Sequence, residues 1–197
     1  MKARIYRRLV AVALCATLLS AVETSVAAGK LKVFILAGQS NMDGACRVST
    51  IDFLGEDKEN AGLLKKFKPD GKTPVTRDDV WVAHRGVYSK LGPGYGARKP
   101  DDKLGACIGP EYAFGYFMGE AIKEQVLLIK VSAGGTSIYQ DWRPPSAGMP
   151  EGIAPEKVGG MYKQMVKYTH ETLGTLKKRF PAYDEKAGYE LVGFVWF

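Results

Sequence analysis

Ser40 has the surroundings expected of a nucleophilic serine. It lies in the run Gly38-Gln39-Ser40-Asn41-Met42, directly after an apolar segment at residues 31–37 that predicts a buried strand. A serine between a strand end and a helix start sits in a tight turn with an exposed hydroxyl, and its own N–H can donate to an oxyanion. The alternative interpretation is a serine that caps the helix. The Gly-x-Ser-x-Gly form of such a turn is not present.

A pair of glycines follows a second apolar segment, at residues 126–131. The run Gly134-Gly135-Thr136 begins two residues after that segment ends. Adjacent glycines let the backbone approach a ligand closely and can direct N–H groups at developing negative charge. Taken alone, the pair favours an ordinary turn.

A nucleophilic serine needs a general base, because its hydroxyl is a poor nucleophile near neutral pH. The sequence contains two histidines, His84 and His170. His170 falls among lysines on the outer face of a predicted helix, which indicates a surface residue. His84 follows a predicted strand at residues 79–83 and could face a cleft, but a surface or loop position is the favoured interpretation.

Alternating strand and helix patterns predict the fold class. Strands are expected at residues 31–37, 79–83, 126–131 and 191–197, and long irregular stretches at residues 45–75 and 91–109. Strand, helix and strand in alternation favour a parallel sheet with helices on both faces. The sequence therefore predicts an α/β protein, a three-layer α/β/α sandwich with a central parallel sheet.

Two helices are expected from their periodicity. The first begins at Pro110, where the missing N–H is harmless, and its core-facing stripe is Phe114, Phe117, Met118, Ala121 and Ile122. The second spans residues 161–180 and ends before Pro181. Its apolar stripe is Met161, Met165, Thr169, Thr172, Leu176 and Phe180.

The first 28 residues have the composition of a secretory signal peptide. Four basic residues precede an apolar run at residues 9–22, and small residues end it at Ser25-Val26-Ala27-Ala28. A membrane anchor is the alternative, but the run is shorter than the roughly 20 residues that span a bilayer. We expect a secreted or periplasmic protein with no membrane association after cleavage, and residues 29–197 as its domain.

Charge and cysteine content limit the possible partners. Residues 1–28 carry four basic residues and one acidic residue, so their removal would lower the net charge from +7 to +4, which gives no reason to expect a nucleic-acid partner. Cys46 and Cys107 would then remain, either as a disulfide or as two thiols. No Cys-x-x-Cys pair or histidine cluster is present, and we expect neither a metal nor an organic cofactor.

The motifs resemble one known family. Gly38-Gln39-Ser40-Asn41-Met42, Gly134-Gly135-Thr136 and Gly193-Phe194-Val195-Trp196-Phe197 are similar to the sialate O-acetylesterase-like branch of the SGNH hydrolases, carbohydrate esterase family 6. The likeness covers about residues 31–197 and includes Gly109-Pro110-Glu111 and Trp142. It implies the flavodoxin-like SGNH form of the three-layer sandwich. The sequence stops within an apolar segment, so we expect the domain to be incomplete at its C-terminus.

The resemblance also implies roles for single residues. Ser40 would form an acyl-enzyme with an acetyl ester of a carbohydrate, and the N–H groups of Ser40 and of Gly134 or Gly135 would bind the oxyanion. Substrate contacts are expected from Gln39, Asn41, Glu111, Thr136 and Trp142.

The general base of the family comes from an Asp-x-x-His motif, which the printed sequence lacks. We therefore expect little or no activity from this chain, and its full-length parent to be an active esterase. An exported carbohydrate-binding protein that retains the esterase pocket without the chemistry is the alternative. The sequence leaves the identity of the acetylated sugar open.

Overall fold

A computed structural model describes residues 27–97 and 106–197. The strands and helices, in chain order, are β1 (Ala27–Gly38), α1 (Ser40–Asp43), β2 (Cys46–Arg47), α2 (Ala61–Phe67), β3 (Arg77–His84), β4 (Val87–Leu91), β5 (Cys107–Ile108), α3 (Pro110–Ala121), β6 (Glu124–Ser132), α4 (Gly160–Leu173), α5 (Leu176–Arg179) and β7 (Tyr189–Trp196). Short 3₁₀ segments lie at Val48–Gly55, Pro145–Ala147 and Pro155–Lys157. Except for Ala27 and Ala28, the predicted signal peptide lies outside the described residues.

The main sheet has five strands in the order β4-β3-β6-β1-β7. β1 lies between β6 and β7 and pairs parallel with both, and β3 pairs parallel with β6. All four predicted strands are present. The unpredicted β4 forms an antiparallel hairpin with β3 through Arg85 and Gly86, which both have positive φ. The sheet is therefore mostly parallel.

The two faces of the sheet carry separate hydrophobic clusters. Alternate residues of β3 show this. Val80 and Val82 face the cluster shared with α2 and α3, whereas Trp81 and Ala83 face the cluster that contains Leu176 of α5 and the residue after that helix, Phe180. Strands buried on both faces are continuously apolar, as β6 is from Val126 to Ile129. The three-layer α/β prediction is confirmed.

Helix α3 begins at Pro110 as predicted, and Phe114, Met118 and Ile122 of the predicted stripe pack against the core, but the most buried positions are different. The fully buried apolar positions are Tyr112, Gly115 and Tyr116, while Phe117 is 37% exposed. Gly115 faces β6 and β4 so closely that an added Cβ would lie 2.7 Å from side chains of Leu128 and Leu91. Because glycine has no side chain, α3 can lie this close to the sheet at Gly115.

The predicted helix at residues 161–180 is two helices, α4 and α5, separated at Gly174 and Thr175. The Thr175 hydroxyl donates to the Glu171 carbonyl at 2.7 Å, which competes with continuation of the helix. The predicted inward stripe is nonetheless correct at Thr169, Thr172, Leu176 and Phe180.

Two regions expected to be irregular contain structure. Residues 45–75 hold the 3₁₀ segment and α2, which pack against each other, and Cys107–Ile108 pairs with β2. Within the described ranges we find no helix long and apolar enough to cross a membrane.

Candidate active site

Ser40 is the first residue of α1, separated from the end of β1 by Gln39 alone, and it is exposed. The single turn of α1 is closed by the N–H groups of Asp43 and Gly44, which donate to the carbonyls of Gln39 and Ser40 at 2.8 and 3.0 Å. The N-cap position belongs to Gln39, and no side-chain capping bond is made. The interpretation of Ser40 as a helix cap is therefore wrong.

Gly134 is the glycine of the predicted pair that lies beside Ser40. The two loops meet because β1 and β6 are neighbours that end together, and the Ala133 N–H donates to the Gly38 carbonyl at 3.2 Å. A Cβ added at Gly134 would lie 3.7 Å from the Ser40 Cβ. Gly135 has a φ of +74° and open space around it.

Thr136 and Trp142 support the loop that carries Gly134. The Trp142 indole N–H donates to the Thr136 hydroxyl at 2.9 Å, and that hydroxyl donates to the Ala133 carbonyl at 2.7 Å. Trp142 is 4% exposed and packs edge-on against Trp196. Since these polar groups are already paired, the geometry gives no support to the substrate contacts predicted for the two residues.

Gln39 and Asn41 flank Ser40 and are exposed, so both are accessible to a ligand at the serine. Asn41 also lines an apolar cavity that opens beside Ser40. Their positions are compatible with the predicted substrate contacts.

Glu111 does not reach this surface. Its side chain is completely buried, and one carboxylate oxygen accepts from Lys130 Nζ at 2.5 Å while the other accepts from the Gly109 N–H at 2.9 Å. Lys130 Nζ donates in addition to the carbonyls of Tyr95 and Asp43. The predicted substrate contact is corrected to a structural contact, because every route from Glu111 to solvent is closed.

Asp43, at the other end of α1 from Ser40, is held by its side chain as well. Its Oδ1 atom accepts from the Ser132 hydroxyl at 2.7 Å and from the Arg85 guanidinium at 2.8 Å. With the Lys130 contact to its carbonyl, Asp43 joins α1 to the ends of β3 and β6. We refer to Asp43, Arg85, Glu111, Lys130 and Ser132 as the polar support cluster.

Sequence reasoning missed this cluster. Lys130 lies within the apolar run of β6, where a single charged residue signals a buried ion pair, since an unpaired buried charge is very costly. Its partner is set by the packing of α3 on β6 and has no local signature in the sequence.

Neither histidine contacts Ser40 within the part of the chain that the structure describes. His84 is 4% exposed, and its Nδ1 lies 2.9 Å from the Lys130 carbonyl. Burial lowers the pKa of His84 to about 4. His170 is exposed on α4 as predicted. Ser40 therefore has no histidine base among residues 27–97 and 106–197.

An apolar cavity of about 810 Å³ opens beside Ser40. Its walls come from the 3₁₀ segment, α2 and α3. The apolar side chains that form most of its lining include Ile51, Leu54, Leu63, Phe67, Phe117 and Phe197.

Cys46 and Cys107 are free thiols, the first exposed and the second buried. The strand register pairs Cys46 with Ile108 and Arg47 with Cys107, so the two sulfur atoms point to opposite faces of the small sheet. No group of three or more potential metal ligands occurs in the described ranges.

Comparisons with known proteins give one family match. Residues 30–196 match the family model described as "Carbohydrate esterase, sialic acid-specific acetylesterase". A solved structure of a protein from Arabidopsis thaliana is similar at 20% identity and a TM-score of 0.46, over 85% of this chain and 56% of that one. The chain thus spans little more than half of that protein. A comparison with curated proteins gives no match.

Proposed function

Because this chain belongs to the carbohydrate esterase family of sialic acid-specific acetylesterases, we propose that it acts on O-acetyl esters of a carbohydrate with Ser40 as the nucleophile. The observation that carries the proposal is the position of Ser40, exposed just beyond the end of β1, beside Gly134 and at the wall of the apolar cavity.

The proposed reaction has two steps. Ser40 Oγ attacks the acetyl carbonyl, the bond to the sugar oxygen breaks, and the sugar leaves with the serine proton. Water then attacks the acetyl-serine and releases acetate. The N–H groups of Ser40 and Gly134 are proposed to bind the oxyanion in both steps, which is the kind of contact that typically contributes most to such catalysis.

The polar support cluster has a positioning role in this proposal. It fixes the C-terminal end of α1 through both the carbonyl and the carboxylate of Asp43. Since α1 has one turn, fixing Asp43 also limits movement of Ser40.

We expect slow hydrolysis from this chain, because neither histidine contacts Ser40. Oxyanion donors without a base can retain some catalysis. The same observation supports the second candidate, an exported carbohydrate-binding protein that uses this pocket without turnover. Export itself is proposed from residues 1–28, and a mature N-terminus after Ala27 or Ala28 would support it.

The test is acetate release from an O-acetylated sugar by the unaltered chain, by Ser40→Ala and by Ser146→Ala. Ser146 is an exposed serine in a 3₁₀ segment and serves as the matched control. We expect slow release that Ser40→Ala abolishes and Ser146→Ala retains. Release that survives Ser40→Ala would exclude the nucleophile, whereas sugar binding without release would favour the binding protein.

A further inference from the structure

The cavity beside Ser40 is poorly suited to a sugar. Its volume of about 810 Å³ lies within the roughly 300–1,000 Å³ range of small-molecule sites, and no charged side chain lines it in the described ranges. The Tyr112 hydroxyl donates to the Val75 carbonyl at 2.8 Å and is thus already paired. The polar side chains on its wall are Ser40, Asn41, Cys46 and Thr50, far fewer than the hydroxyl groups of a sugar require.

The apolar wall is built from interlocked aromatic rings. Phe67 of α2 contacts Tyr112 and Phe117 of α3, with ring centroids 5.6 and 6.1 Å apart, and it is itself buried. Such aromatic contacts stabilise the packing of α2 against α3 at the cavity wall. The shape is therefore a property of the fold around α2 and α3.

Ser40 joins this cavity to the proposed oxyanion site. Ser40 and Asn41 line the cavity, whereas Gly134 lies against Ser40 and lines no part of it. An ester with its carbonyl oxygen toward Gly134 would direct one of its two remaining substituents along the apolar wall.

We propose that the cavity binds an apolar group of the ester substrate, an aliphatic chain or an aromatic ring attached to the carbonyl that Ser40 attacks. This inference rests on the proposed function, and it extends the substrate class from acetylated sugars to esters with one lipophilic side. The apolar group could be the acyl chain or the alcohol part, since both have the same chemistry toward the wall.

The test measures binding in the Ser40→Ala variant, so that catalysis plays no part. The ligands are methyl acetate, methyl hexanoate and hexyl acetate. Saturation-transfer NMR measures the affinity of each. Each buried methylene should strengthen binding about three- to fourfold, so at least one long ester should bind on the order of 100-fold more tightly than methyl acetate. The preferred long ester identifies the acyl or the alcohol side.

A cavity-filling substitution supplies the control. Ala113 is exposed on α3 and lines the cavity, so Ala113→Trp should fill the space and remove most of the chain-length effect. Ala121→Trp places the same residue on the same helix outside the cavity and should leave the effect intact. Circular dichroism checks that both variants fold.

Equal binding of all three esters, or a length effect that Ala113→Trp leaves unchanged, would overturn the inference. The proposed function fails separately, through acetate release that does not depend on Ser40. Tight binding of a long ester together with acetate release that does not depend on Ser40 would support the apolar binding site and exclude Ser40 as the nucleophile.

Discussion

Lys130 and Glu111 form a fully buried ion pair beneath the helix that carries Ser40. Burial lowers the pKa of Lys130, and the negative charge of Glu111 acts against that effect. The desolvation of such a pair often offsets its attraction, so its net contribution to stability is small while both members are present. Removing one member leaves an uncompensated buried charge, which is much more costly.

We predict that Glu111→Gln destabilises the fold by about 3–5 kcal/mol, because Lys130 then loses its counter-ion. Urea denaturation measures the loss. The control is Glu190→Gln, which breaks the exposed contact between Glu190 and Lys32 and should have no measurable effect. A Glu111→Gln variant as stable as the control would show that Lys130 is not held as a charged group.

His84 gives the fold a pH dependence. Burial lowers its pKa from 6.5 to about 4; the hydrogen bond to the Lys130 carbonyl and the charge of Asp43 oppose this, and the charges of Lys130 and Arg85 reinforce it. The folded state therefore favours the neutral ring, so the unfolded state binds more protons between these pKa values. Stability from His84 is fully present above pH 6.5 and is lost as the pH falls toward 4.

We predict that this loss reaches about 3 kcal/mol near pH 4. His84→Gln should flatten the pH profile of the unfolding free energy by that amount, because glutamine does not titrate. His170→Gln removes an exposed histidine and should leave the profile unchanged. If the unfolding free energy of His84→Gln changes with pH as steeply as that of the unaltered chain between pH 6.5 and 4, the His84 ring is not buried in its neutral form.

Residues with a strong local pattern could be predicted from the sequence. Ser40 and Gly134 come together because each follows an apolar strand, and the ends of neighbouring parallel strands meet at one edge of the sheet. The partners of Lys130, and the burial of Glu111, depend on how α3 packs against β6, which no local pattern encodes. The cavity could not be predicted because part of its wall comes from residues 48–67, a region that was expected to be irregular.

At the scale of single elements, Gly44 determines where α1 ends. Its φ is +75°, and a Cβ added there would lie 2.1 Å from the Gly109 Cα. The positive φ of Gly44 ends the helical conformation. Its lack of a side chain leaves room for the chain segment that leads into α3. The Gly44 N–H closes the turn on the Ser40 carbonyl.

We predict that Gly44→Ala destabilises the fold by more than the roughly 1–3 kcal/mol expected for backbone strain alone, because the methyl group also collides with Gly109. Gly71→Ala is the matched control. Gly71 has a nearly equal φ of +72° and nothing within 4 Å of the added Cβ, so it should show the strain alone. Equal unfolding free energies for the two variants would argue against the close contact.

Element prediction succeeded where apolar residues run together and failed where they do not. β1, β3, β6 and β7 carry such runs, but β4 contains Ser89 and Lys90 and is mostly exposed, so its sequence resembles a loop. In α3 the predicted stripe was right at Phe114, Met118 and Ile122 and wrong at Phe117, while the small Gly115 makes the closest contact with the sheet.

At the scale of the whole molecule, the sheet is unevenly covered. β7 pairs with β1 on one side, and much of its apolar surface is exposed: Leu191 and Phe194, which pair with Val33 and Ile35 on one face of the sheet, are 54% and 56% exposed. An apolar edge strand presents unpaired backbone groups and invites association with another strand.

We predict that this chain self-associates with increasing concentration, as measured by analytical ultracentrifugation. Phe194→Lys should shift the equilibrium toward monomer, because a charge on an edge strand opposes pairing. Phe53→Lys makes the same change at a phenylalanine that is 62% exposed but lies in the 3₁₀ segment, away from the sheet edge. Equal shifts in both variants would mean that overall hydrophobicity, rather than β7, causes association.

The most direct measurement is the site of acetylation after incubation with an activated aryl acetate. Without a histidine at Ser40, deacylation should be slow, so the acetyl-enzyme should accumulate. We predict one acetyl group on the peptide that contains Ser40, absent in Ser40→Ala and present in Ser146→Ala. Acetyl groups spread over other serines and lysines, with none on Ser40, would contradict the assignment of Ser40 as the nucleophile.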